Sequence, residues 1–243
     1  AGGGVGATTL AVQVAALLAQ RGAGGVCLAD LDLQSGSGAL YLDLPEAVTI
    51  TDCLSSGSLT DTPFAGALAT HRTGVRLLAA PRDMVALETL TPPDISALVA
   101  GLRRDFPLTL VDLPPVWTAW TNQLLTLADR IVLVTHLSVP HVQMVKRQLR
   151  VLTAQRLEDR PLILVCNAMS PDQSASVSVK AAERALQLGF GVVIPEDRKT
   201  MTAATNQGVE LSAVRRGTKV EKAIAELADK VAATAPVAVS RRG

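Results

Sequence analysis

Short apolar runs recur along the chain, and most of them lack alternating polar residues. An apolar run without alternation is typical of a strand whose two faces are both buried, as in a parallel sheet covered by helices on each side. The runs lie at residues 26–31, 75–80, 108–111, 131–135, 162–166 and 192–194. They predict an α/β fold with a mostly parallel sheet and helices on both faces.

Helical periodicity fills the stretches between these runs. Over residues 8–20 apolar side chains recur at helical spacing, and Gly22 follows as a helix stop. The other predicted helices cover residues 94–104, 117–127, 142–153, 179–188 and 218–232. No repeat or linker interrupts the pattern, so the sequence predicts one domain over residues 1–235, followed by a small basic tail over 236–243.

Composition and charge narrow the class of protein. The chain has 243 residues, of which 48% are apolar and 19% are charged, which is enough apolar material for a core and excludes a disordered polymer. The net charge of +1 gives no strong field toward nucleic acid or acidic lipid. No apolar run reaches the roughly 18 residues that span a bilayer, and Cys27, Cys53 and Cys166 lie far apart in apolar runs. The sequence predicts a cytoplasmic protein without direct membrane insertion.

A glycine-rich loop precedes the first predicted helix and admits two chemical interpretations. As a phosphate-binding loop, its backbone N–H groups converge on a phosphate at the helix start, while the Thr8 hydroxyl reaches Mg²⁺. As a dinucleotide fingerprint, Gly2, Gly4 and Ala7 match G-x-G-x-x-A, and Asp30 is the ribose-binding acid. The loop residues are Gly3, Gly4, Val5, Gly6, Ala7, Thr8 and Thr9. By itself the loop leaves both interpretations open.

Acidic residues at the ends of two predicted strands favour the phosphate-loop interpretation. Asp112 ends the apolar run at 108–111, an arrangement that holds a Mg²⁺-bound water in P-loop NTPases and that a dinucleotide site does not need. Asp30 and Asp32 lie at the carboxyl end of another strand, the edge where open α/β sheets bind ligands. The sequence therefore predicts a phosphate site assisted by Mg²⁺.

Six segments, in order along nearly the whole chain, carry a family resemblance. They are Gly-Gly-Val-Gly-Ala-Thr-Thr-Leu-Ala at 3–11, Asp-Leu-Asp-Leu-Gln at 30–34, Leu-Ala-Ala-Pro-Arg-Asp at 78–83, Val-Asp-Leu-Pro at 111–114, Ile-Pro-Glu-Asp at 194–197 and Asn-Gln-Gly at 206–208. Each motif is loose alone, but the set resembles the MinD/ParA-type P-loop ATPases. The Gly-Ala-Thr-Thr and Pro-Arg-Asp pieces most resemble the CpaE/TadZ branch of that superfamily, which serves Tad/Flp pilus assembly.

The resemblance implies a P-loop NTPase that binds ATP or ADP with Mg²⁺ and forms a nucleotide-sandwich homodimer. It also implies assembly and polar localisation of the Tad/Flp type IVb pilus machinery, with pilus secretion-apparatus proteins as partners. By position, the glycine loop wraps the phosphates, and Thr8 and Asp112 hold Mg²⁺. Asp32 is the catalytic candidate near the attacking water, while Asn167 and Pro195 frame the adenine.

Two positions depart from the family pattern, and both lack a lysine. The superfamily pattern K-G-G-x-G-K-[ST] has lysines where this chain has Gly2 and Ala7. A charged hydrogen bond is worth roughly 1.5–3 kcal/mol, and the transition state of phosphoryl transfer depends on such charges. The two departures therefore weaken both nucleotide binding and turnover. We expect at most a weak Mg²⁺-dependent ATPase.

Two further expectations concern the chain ahead of Ala1. Phosphate-binding loops normally follow a buried strand, so we expect a first central strand upstream of the glycine loop. The CpaE/TadZ branch also commonly carries a receiver-like domain upstream, and the resemblance implies one here.

Three other functions stay open on the sequence. An active ParA/MinD-type partition or positioning ATPase on DNA or membrane is disfavoured by the missing lysines and the balanced charge. A nucleotide-free scaffold is the second. The third is an NAD-binding oxidoreductase, which is supported only by the spacing of Gly2, Gly4 and Ala7.

Trp117 and Trp120 are interpreted either as core packing or as part of a dimer surface, where tryptophan is enriched.

Overall fold

The computed structural model describes residues 3–22, 25–57, 59, 63–169 and 177–233. Gly2 and the predicted tail over 236–243 lie outside these residues. The chain forms two compact bodies, each assembled from separate stretches of sequence. The larger body is drawn from Ala7–Leu127 and Thr200–Arg216, and the smaller body from the described residues of Ala1–Gly6, Ala128–Lys199 and Gly217–Gly243.

The larger body contains a four-stranded sheet. Its strands are β1 (Val26–Asp30), β2 (Ala69–Thr70), β3 (Val75–Leu78) and β4 (Leu108–Asp112), in the order β2-β3-β1-β4. β1 runs parallel to β3 and β4, with Asp30 in register with Asp112, and β2 pairs antiparallel with β3. Every residue of β1 is buried, as its unbroken apolar pattern predicts. The parallel pairing brings the carboxyl ends of β1, β3 and β4 to one edge of this sheet.

Helices pack on this sheet through their apolar faces. α1 (Ala7–Gln20) lies against β1 and β4. α5 (Pro92–Asp105) begins at a capping box, in which the side chains of Thr91 and Asp94 each accept a backbone N–H from the other residue. The remaining helices of this body are α2 (Gly38–Tyr41), α3 (Ile50–Ser55), α4 (Phe64–Ala67), α6 (Ala119–Leu127), most of α9 (Arg198–Asn206), and α10 (Leu211–Val214), with a 3₁₀ turn at Leu87–Thr89.

The two tryptophans lie in different environments of the larger body. Trp120 belongs to the apolar cluster that joins β1, α3, α5 and α6, and it is 2% exposed. Its Nε1 donates a hydrogen bond to the Leu87 carbonyl at 2.8 Å, so the core interpretation of Trp120 is confirmed. Trp117 is half-buried, and its buried Nε1 has no hydrogen-bond partner within the described structure. Trp117 therefore keeps the surface interpretation open.

The smaller body contains a three-stranded sheet of parallel strands. β5 (Ile131–Thr135), β6 (Leu162–Met169) and β7 (Val192–Pro195) lie in the order β5-β6-β7. Three helices, α7 (Val139–Ala154), α8 (Val179–Leu186) and α11 (Lys219–Ala232), belong to this body. α7 packs on β5 and on α8, and α11 packs on β7 through its buried apolar side. Arg130 donates hydrogen bonds to the last carbonyls of α11 and so satisfies that helix end.

The observed elements match most of the predicted ones. All six predicted strands form, and the α/β class with mainly parallel strands flanked by helices is confirmed. α6 begins at Ala119 rather than at residue 117, because Thr118 and Thr121 exchange backbone-to-hydroxyl hydrogen bonds that cap the helix. The pattern missed β2, the 3₁₀ turn and the short helices α2, α3, α4, α9 and α10.

One expectation about burial is wrong for two strands. β4 is mostly half-buried, and Val132 of β5 is 38% exposed, although both strands have unbroken apolar sequences. Each is an outer strand of its own sheet in the described structure, so a neighbouring strand covers it on one side. None of the described helices is both long and apolar enough to cross a membrane.

Candidate functional site

The glycine loop before α1 has the backbone of an anion-binding turn. Gly4 and Gly6 have φ angles of 75° and 81°, in the left-handed region where a side chain is strained. Left-handed residues that alternate with ordinary ones turn successive N–H groups toward one side, as in the backbone nests that bind anions. The loop ends at the N-terminus of α1, where the first N–H groups have no helical partner. This backbone offers a site for a phosphate.

The predicted loop residues differ in exposure. Gly3 and Gly4 are exposed, whereas Val5 is buried and 2% exposed. The others, Gly6, Ala7, Thr8 and Thr9, are half-buried, and the last three form the first turn of α1. The loop therefore presents Gly3 and Gly4 to solvent and is anchored by the buried Val5.

In the smaller body, Asn167 contacts the backbone of this loop. Its Nδ2 donates a hydrogen bond to the Val5 carbonyl at 2.8 Å, and the side chain is buried. Asn167 lies near the end of β6, where the pairing with β7 shifts register. Gly6 makes room for it, because a Cβ on Gly6 would lie 2.5 Å from Asn167 Nδ2.

His136, directly after β5, also reaches Val5, and sequence reasoning did not single it out. Its imidazole interacts with the Val5 backbone, and this hydrogen bond raises the pKa of His136. Burial is the larger effect and holds the pKa of His136 below its ordinary value. The available signal was its position, since a polar residue lies at the carboxyl end of β5 as others lie at or near the ends of β1, β4 and β6.

In the larger body, Thr8 and Asp112 form a direct pair. Thr8 Oγ1 donates to Asp112 Oδ2 at 2.5 Å, which joins the first turn of α1 to the end of β4. Asp112 is 6% exposed, and burial raises its pKa to about 7. The Thr8 hydroxyl opposes that rise, and the nearby carboxylates of Asp30 and Asp32 add to it. The structure thus brings together the two residues predicted to hold Mg²⁺.

Asp30 and Asp32 organise the loop that follows β1. Asp30 is fully buried, and its carboxylate accepts the backbone N–H groups of Asp32 at 3.1 Å and Gly38 at 2.8 Å. Burial raises its pKa despite these bonds. Asp32 is half-buried and caps its own turn, since Oδ1 accepts from the N–H groups of Gln34 and Ser35. Asp30 therefore positions the loop, and Asp32 is the more accessible acid.

The charge of this acidic edge fits a divalent cation. The buried carboxylates of Asp30 and Asp112 and the half-buried Asp32 repel one another, and a bound cation would offset that repulsion. No group of three or more His, Cys, Asp or Glu in the described ranges is arranged to hold a metal alone. Mg²⁺ usually takes one or two protein oxygens and completes its shell with water and phosphate oxygens. The Thr8–Asp112 pair fits that pattern.

Residues of the larger body also tie the Asn-Gln-Gly segment at 206–208 to α1. Gln13, on α1, donates to the Val209 carbonyl at 3.2 Å and accepts from the Leu211 N–H at 2.8 Å. The buried His71 bonds the glycine carbonyl of the segment through Nε2 at 3.2 Å. The sequence marked the segment as a motif but gave no signal for Gln13 or His71, whose roles depend on tertiary contacts.

Pro195, the residue predicted beside adenine, ends β7. It is half-buried and lies opposite Met169 in the pairing of β6 with β7. Asn167, its predicted companion, lies two residues before Met169 on β6. Both residues therefore belong to the carboxyl ends of neighbouring strands in the smaller body.

Comparisons with known proteins address the fold. No protein-family model matches the chain. The septum site-determining protein MinD of Thermotoga maritima is 24% identical over 234 residues, which span 94% of this chain and 84% of that protein. The structure of a ParA family ATPase from Chlorobium tepidum superposes with a TM-score of 0.82 at 18% identity, covering 93% of this chain and 95% of that one. The chain has the fold of the MinD/ParA-type P-loop ATPases.

The MinD/ParA likeness extends over nearly the whole chain. MinD from Pyrococcus horikoshii, complexed with Mg-ADP, superposes with a TM-score of 0.79 at 20% identity and covers 95% of this chain and 92% of its own. The resemblance drawn from the six motifs is therefore confirmed at the level of fold. The narrower CpaE/TadZ assignment stays a prediction, because these relatives are MinD and ParA proteins.

Proposed function

We propose that this protein binds ATP or ADP with Mg²⁺ at the glycine loop and uses the nucleotide to control self-association, with weak or no hydrolysis. The observation that carries the proposal is the Thr8–Asp112 pair at the start of the loop's helix, because it joins a hydroxyl and a buried carboxylate as an incomplete Mg²⁺ shell. The P. horikoshii relative, which is complexed with Mg-ADP, supports the same ligand class.

Each part of the proposed site has its own task. The N–H groups of residues 3–9 bind the phosphates, while Thr8 and Asp112 hold Mg²⁺ directly or through water. When bound, Mg²⁺ neutralises charge on the phosphate oxygens. Asp32 lies near the attacking water as the catalytic candidate, and Pro195 lies on the base side. Asn167 is also expected at the base, and its Nδ2 bonds the Val5 carbonyl.

Slow turnover follows from the charge of the loop. The superfamily pattern has a lysine at position 7, where this chain has Ala7. That position therefore supplies no positive charge to stabilise the transition state. The phosphates are then held mainly by backbone N–H groups, which bind the ground state without adding a full charge to the transition state. The protein therefore acts more as a nucleotide-responsive binding protein than as an efficient ATPase.

The self-association surface in this proposal is the carboxyl edge of the larger sheet. Leu40 is 72% exposed, Met84 is 74% exposed and Val116 is 49% exposed, and they follow β1, β3 and β4 respectively. Trp117 is next to Val116 and half-buried. Apolar side chains beside a ligand edge supply the desolvated contacts that a homodimer needs.

For the cellular role, the proposal is assembly and polar localisation of Tad/Flp pilus machinery, with secretion-apparatus proteins as partners. Its support is the Gly-Ala-Thr-Thr and Pro-Arg-Asp segments, which resemble the CpaE/TadZ branch. A ParA/MinD-type positioning ATPase is the second candidate, favoured by the likeness to MinD and ParA relatives. A membrane role for α11 is disfavoured, because its apolar residues Val220, Ile224 and Leu227 are buried.

The structure argues against the NAD-binding alternative. Asp30, the acid that would bind the ribose, is fully buried, and its carboxylate is engaged by the N–H groups of Asp32 and Gly38. A ribose hydroxyl would have to displace those bonds. The proposal therefore predicts that NAD does not bind.

Calorimetric titration tests the ligand class. Wild-type protein is expected to bind ATP with Mg²⁺ and to give no heat with NAD, and Thr8→Val is expected to weaken ATP binding because it removes the hydroxyl. Asp159→Asn, a change on an exposed turn, is the matched control and is expected to bind as the wild type does. Heat with NAD and none with millimolar ATP would overturn the proposal.

A further inference from the structure

Two side chains from neighbouring strands converge on one backbone oxygen of the glycine loop. Asn167 of β6 donates Nδ2 to the Val5 carbonyl at 2.8 Å, and the imidazole of His136, directly after β5, interacts with the backbone of the same residue. β5 and β6 are adjacent parallel strands, so their carboxyl ends present both donors on one side. A carbonyl oxygen has two lone pairs and accepts both hydrogen bonds.

Peptide geometry gives this double contact a consequence for the loop. The described backbone contains no cis peptide bond, so the bond between Val5 and Gly6 is trans. In a trans peptide the C=O and N–H groups lie in one rigid plane and point in opposite directions. Fixing the Val5 carbonyl toward Asn167 and His136 therefore fixes the Gly6 N–H on the opposite side, away from the two donors.

We infer that Asn167 and His136 are positioning residues that hold the Val5–Gly6 peptide so that the loop N–H groups are aligned for a phosphate. The inference rests on the proposed nucleotide site and deepens it. It gives Asn167 a task on the loop backbone in place of the expected contact with adenine.

The sequence of the loop makes this alignment important. Without a lysine at position 7, phosphate recognition depends on backbone N–H groups, whose hydrogen bonds weaken steeply when they are misaligned. Gly6 is also matched to the contact, because a Cβ there would lie 2.5 Å from Asn167 Nδ2. The φ of 81° at Gly6 and the position of the Asn167 side chain thus both favour glycine at position 6.

His141 lies beside His136 and provides a matched control residue. The His141 ring lies 5.3 Å away between centroids, and its Nδ1 bonds the Ser138 hydroxyl at 2.7 Å. His141 is therefore anchored at the start of α7, where Ser138 is the N-cap. This makes His141→Phe a suitable control, since it changes a neighbouring imidazole that does not bond Val5 in the described contacts.

The test compares ligands that share only part of ATP. Binding of Mg²⁺-pyrophosphate, Mg²⁺-ATP and adenosine is measured by calorimetry for wild type, Asn167→Leu, His136→Phe and His141→Phe. Each of the first two variants is expected to lose affinity for pyrophosphate and ATP by the same factor, about 3- to 10-fold for one hydrogen bond. Adenosine binding and the His141→Phe control are expected to match the wild type. His136→Gln, which keeps an N–H donor, is expected to restore most of the loss.

A second measurement needs no ligand and covers the case in which a variant is less stable. Amide hydrogen exchange of residues 3–9 is expected to quicken in Asn167→Leu and His136→Phe, while β6 keeps its protection. Unchanged pyrophosphate affinity with unchanged loop exchange would overturn the inference, as would a loss confined to adenosine. If wild-type protein binds neither pyrophosphate nor ATP, the proposed function fails and the inference fails with it. If wild type binds both and the variants bind equally well, the inference alone fails.

Discussion

The carboxyl ends of the strands carry opposite chemistry in the two bodies. In the larger body they carry acids, Asp30 at the end of β1 and Asp112 at the end of β4, both buried with raised pKa values. In the smaller body they carry the donors His136 and Asn167, which are already bonded to Val5. Burial and the repulsion of neighbouring carboxylates disfavour the charged form of both acids, whereas the donors are bonded to the protein's own backbone. We therefore expect the acidic end, which consists of Asp30 and Asp112, to make stability depend on a bound ligand. We expect the donor end, which consists of His136 and Asn167, to set the geometry of the loop.

Removing the Asp112 charge is expected to break this contrast most strongly. Its pKa is raised from 3.8 to about 7, so the folded protein prefers the neutral acid. The contribution of Asp112 to the free energy of unfolding is then fully present below the unfolded pKa of about 4 and is lost as pH rises through 7. The rise corresponds to roughly 4 kcal/mol. Asp112→Asn is expected to remove the part of this loss that Asp112 causes, while the raised pKa of Asp30 still contributes, and thermal melts in EDTA between about pH 4 and about pH 8 measure the difference.

The exposed Asp159 provides the control for that experiment. Asp159→Asn is expected to keep the wild-type dependence of Tm on pH, because its carboxylate is in water in both states. Saturating Mg²⁺ with ADP is expected to raise the Tm of the wild type most at high pH, where Asp112 is ionised. If Tm of Asp112→Asn depends on pH as Tm of the wild type does, the ionisation of Asp112 does not destabilise the folded protein.

Adding a positive charge to the loop is expected to have the next largest effect. Ala7→Lys restores a lysine at the position where the superfamily pattern has one. A charged hydrogen bond to a phosphate is worth roughly 1.5–3 kcal/mol, which is about 10- to 100-fold in ATP affinity. Calorimetry measures the affinity and phosphate release measures turnover. Ala67→Lys adds the same charge on exposed α4 and is expected to change neither. A wild type that already hydrolyses ATP as fast as Ala7→Lys would contradict the account.

A change at Trp117 tests whether the acidic end is also an interface. Trp117→Ala is expected to weaken self-association by about 2 kcal/mol while the monomer stays folded, as for a hot-spot residue. Trp120→Ala is the comparison variant and is expected to lower the Tm, because Trp120 is buried in the core. Sedimentation with and without Mg²⁺-ATP measures the association. A Trp117→Ala protein that associates normally would return Trp117 to a packing role.

The smallest expected effect comes from His71, which holds the 206–208 segment. Burial lowers the pKa of His71, so the folded state favours the neutral ring. The resulting stability is present above the unfolded pKa of about 6.5 and is lost as pH falls through the lower folded value. In an Asp112→Asn background, melts are expected to show a decline on the acid side that His71→Gln removes. A decline of equal size in both proteins would assign it to other groups.

The sequence was a good guide to elements with long, regular patterns. The six strands and the longer helices were predictable because their apolar spacing persists over many residues. β2 has two residues, and α2 and α4 have four each, so these elements are too short to show a periodic spacing of apolar residues. The expected burial of β4 and β5 was wrong because composition does not reveal which strands lie at the edge of a sheet.

For the candidate site, the sequence was a better guide to position than to contacts. It placed Thr8, Asp112 and Asn167 at strand ends or helix starts, and the structure brings the first two into contact, while their role on Mg²⁺ stays a prediction. The contact of Asn167 with the base stays a prediction, and its Nδ2 also bonds the Val5 carbonyl, a tertiary contact that no sequence motif indicates. His136 had no motif around it and became visible only through the strand it follows.

The Mg²⁺ dependence of ATP binding tests the central claim most directly. Calorimetric titration of ATP into wild-type protein, with Mg²⁺ and with EDTA, is compared with the same pair of titrations on Asp112→Asn. The account predicts that Mg²⁺ tightens ATP binding to wild type at least tenfold, or roughly 1.4 kcal/mol, and that Asp112→Asn loses this increment. Equal ATP affinity with and without Mg²⁺ in the wild type, or an increment that survives in Asp112→Asn, would contradict it.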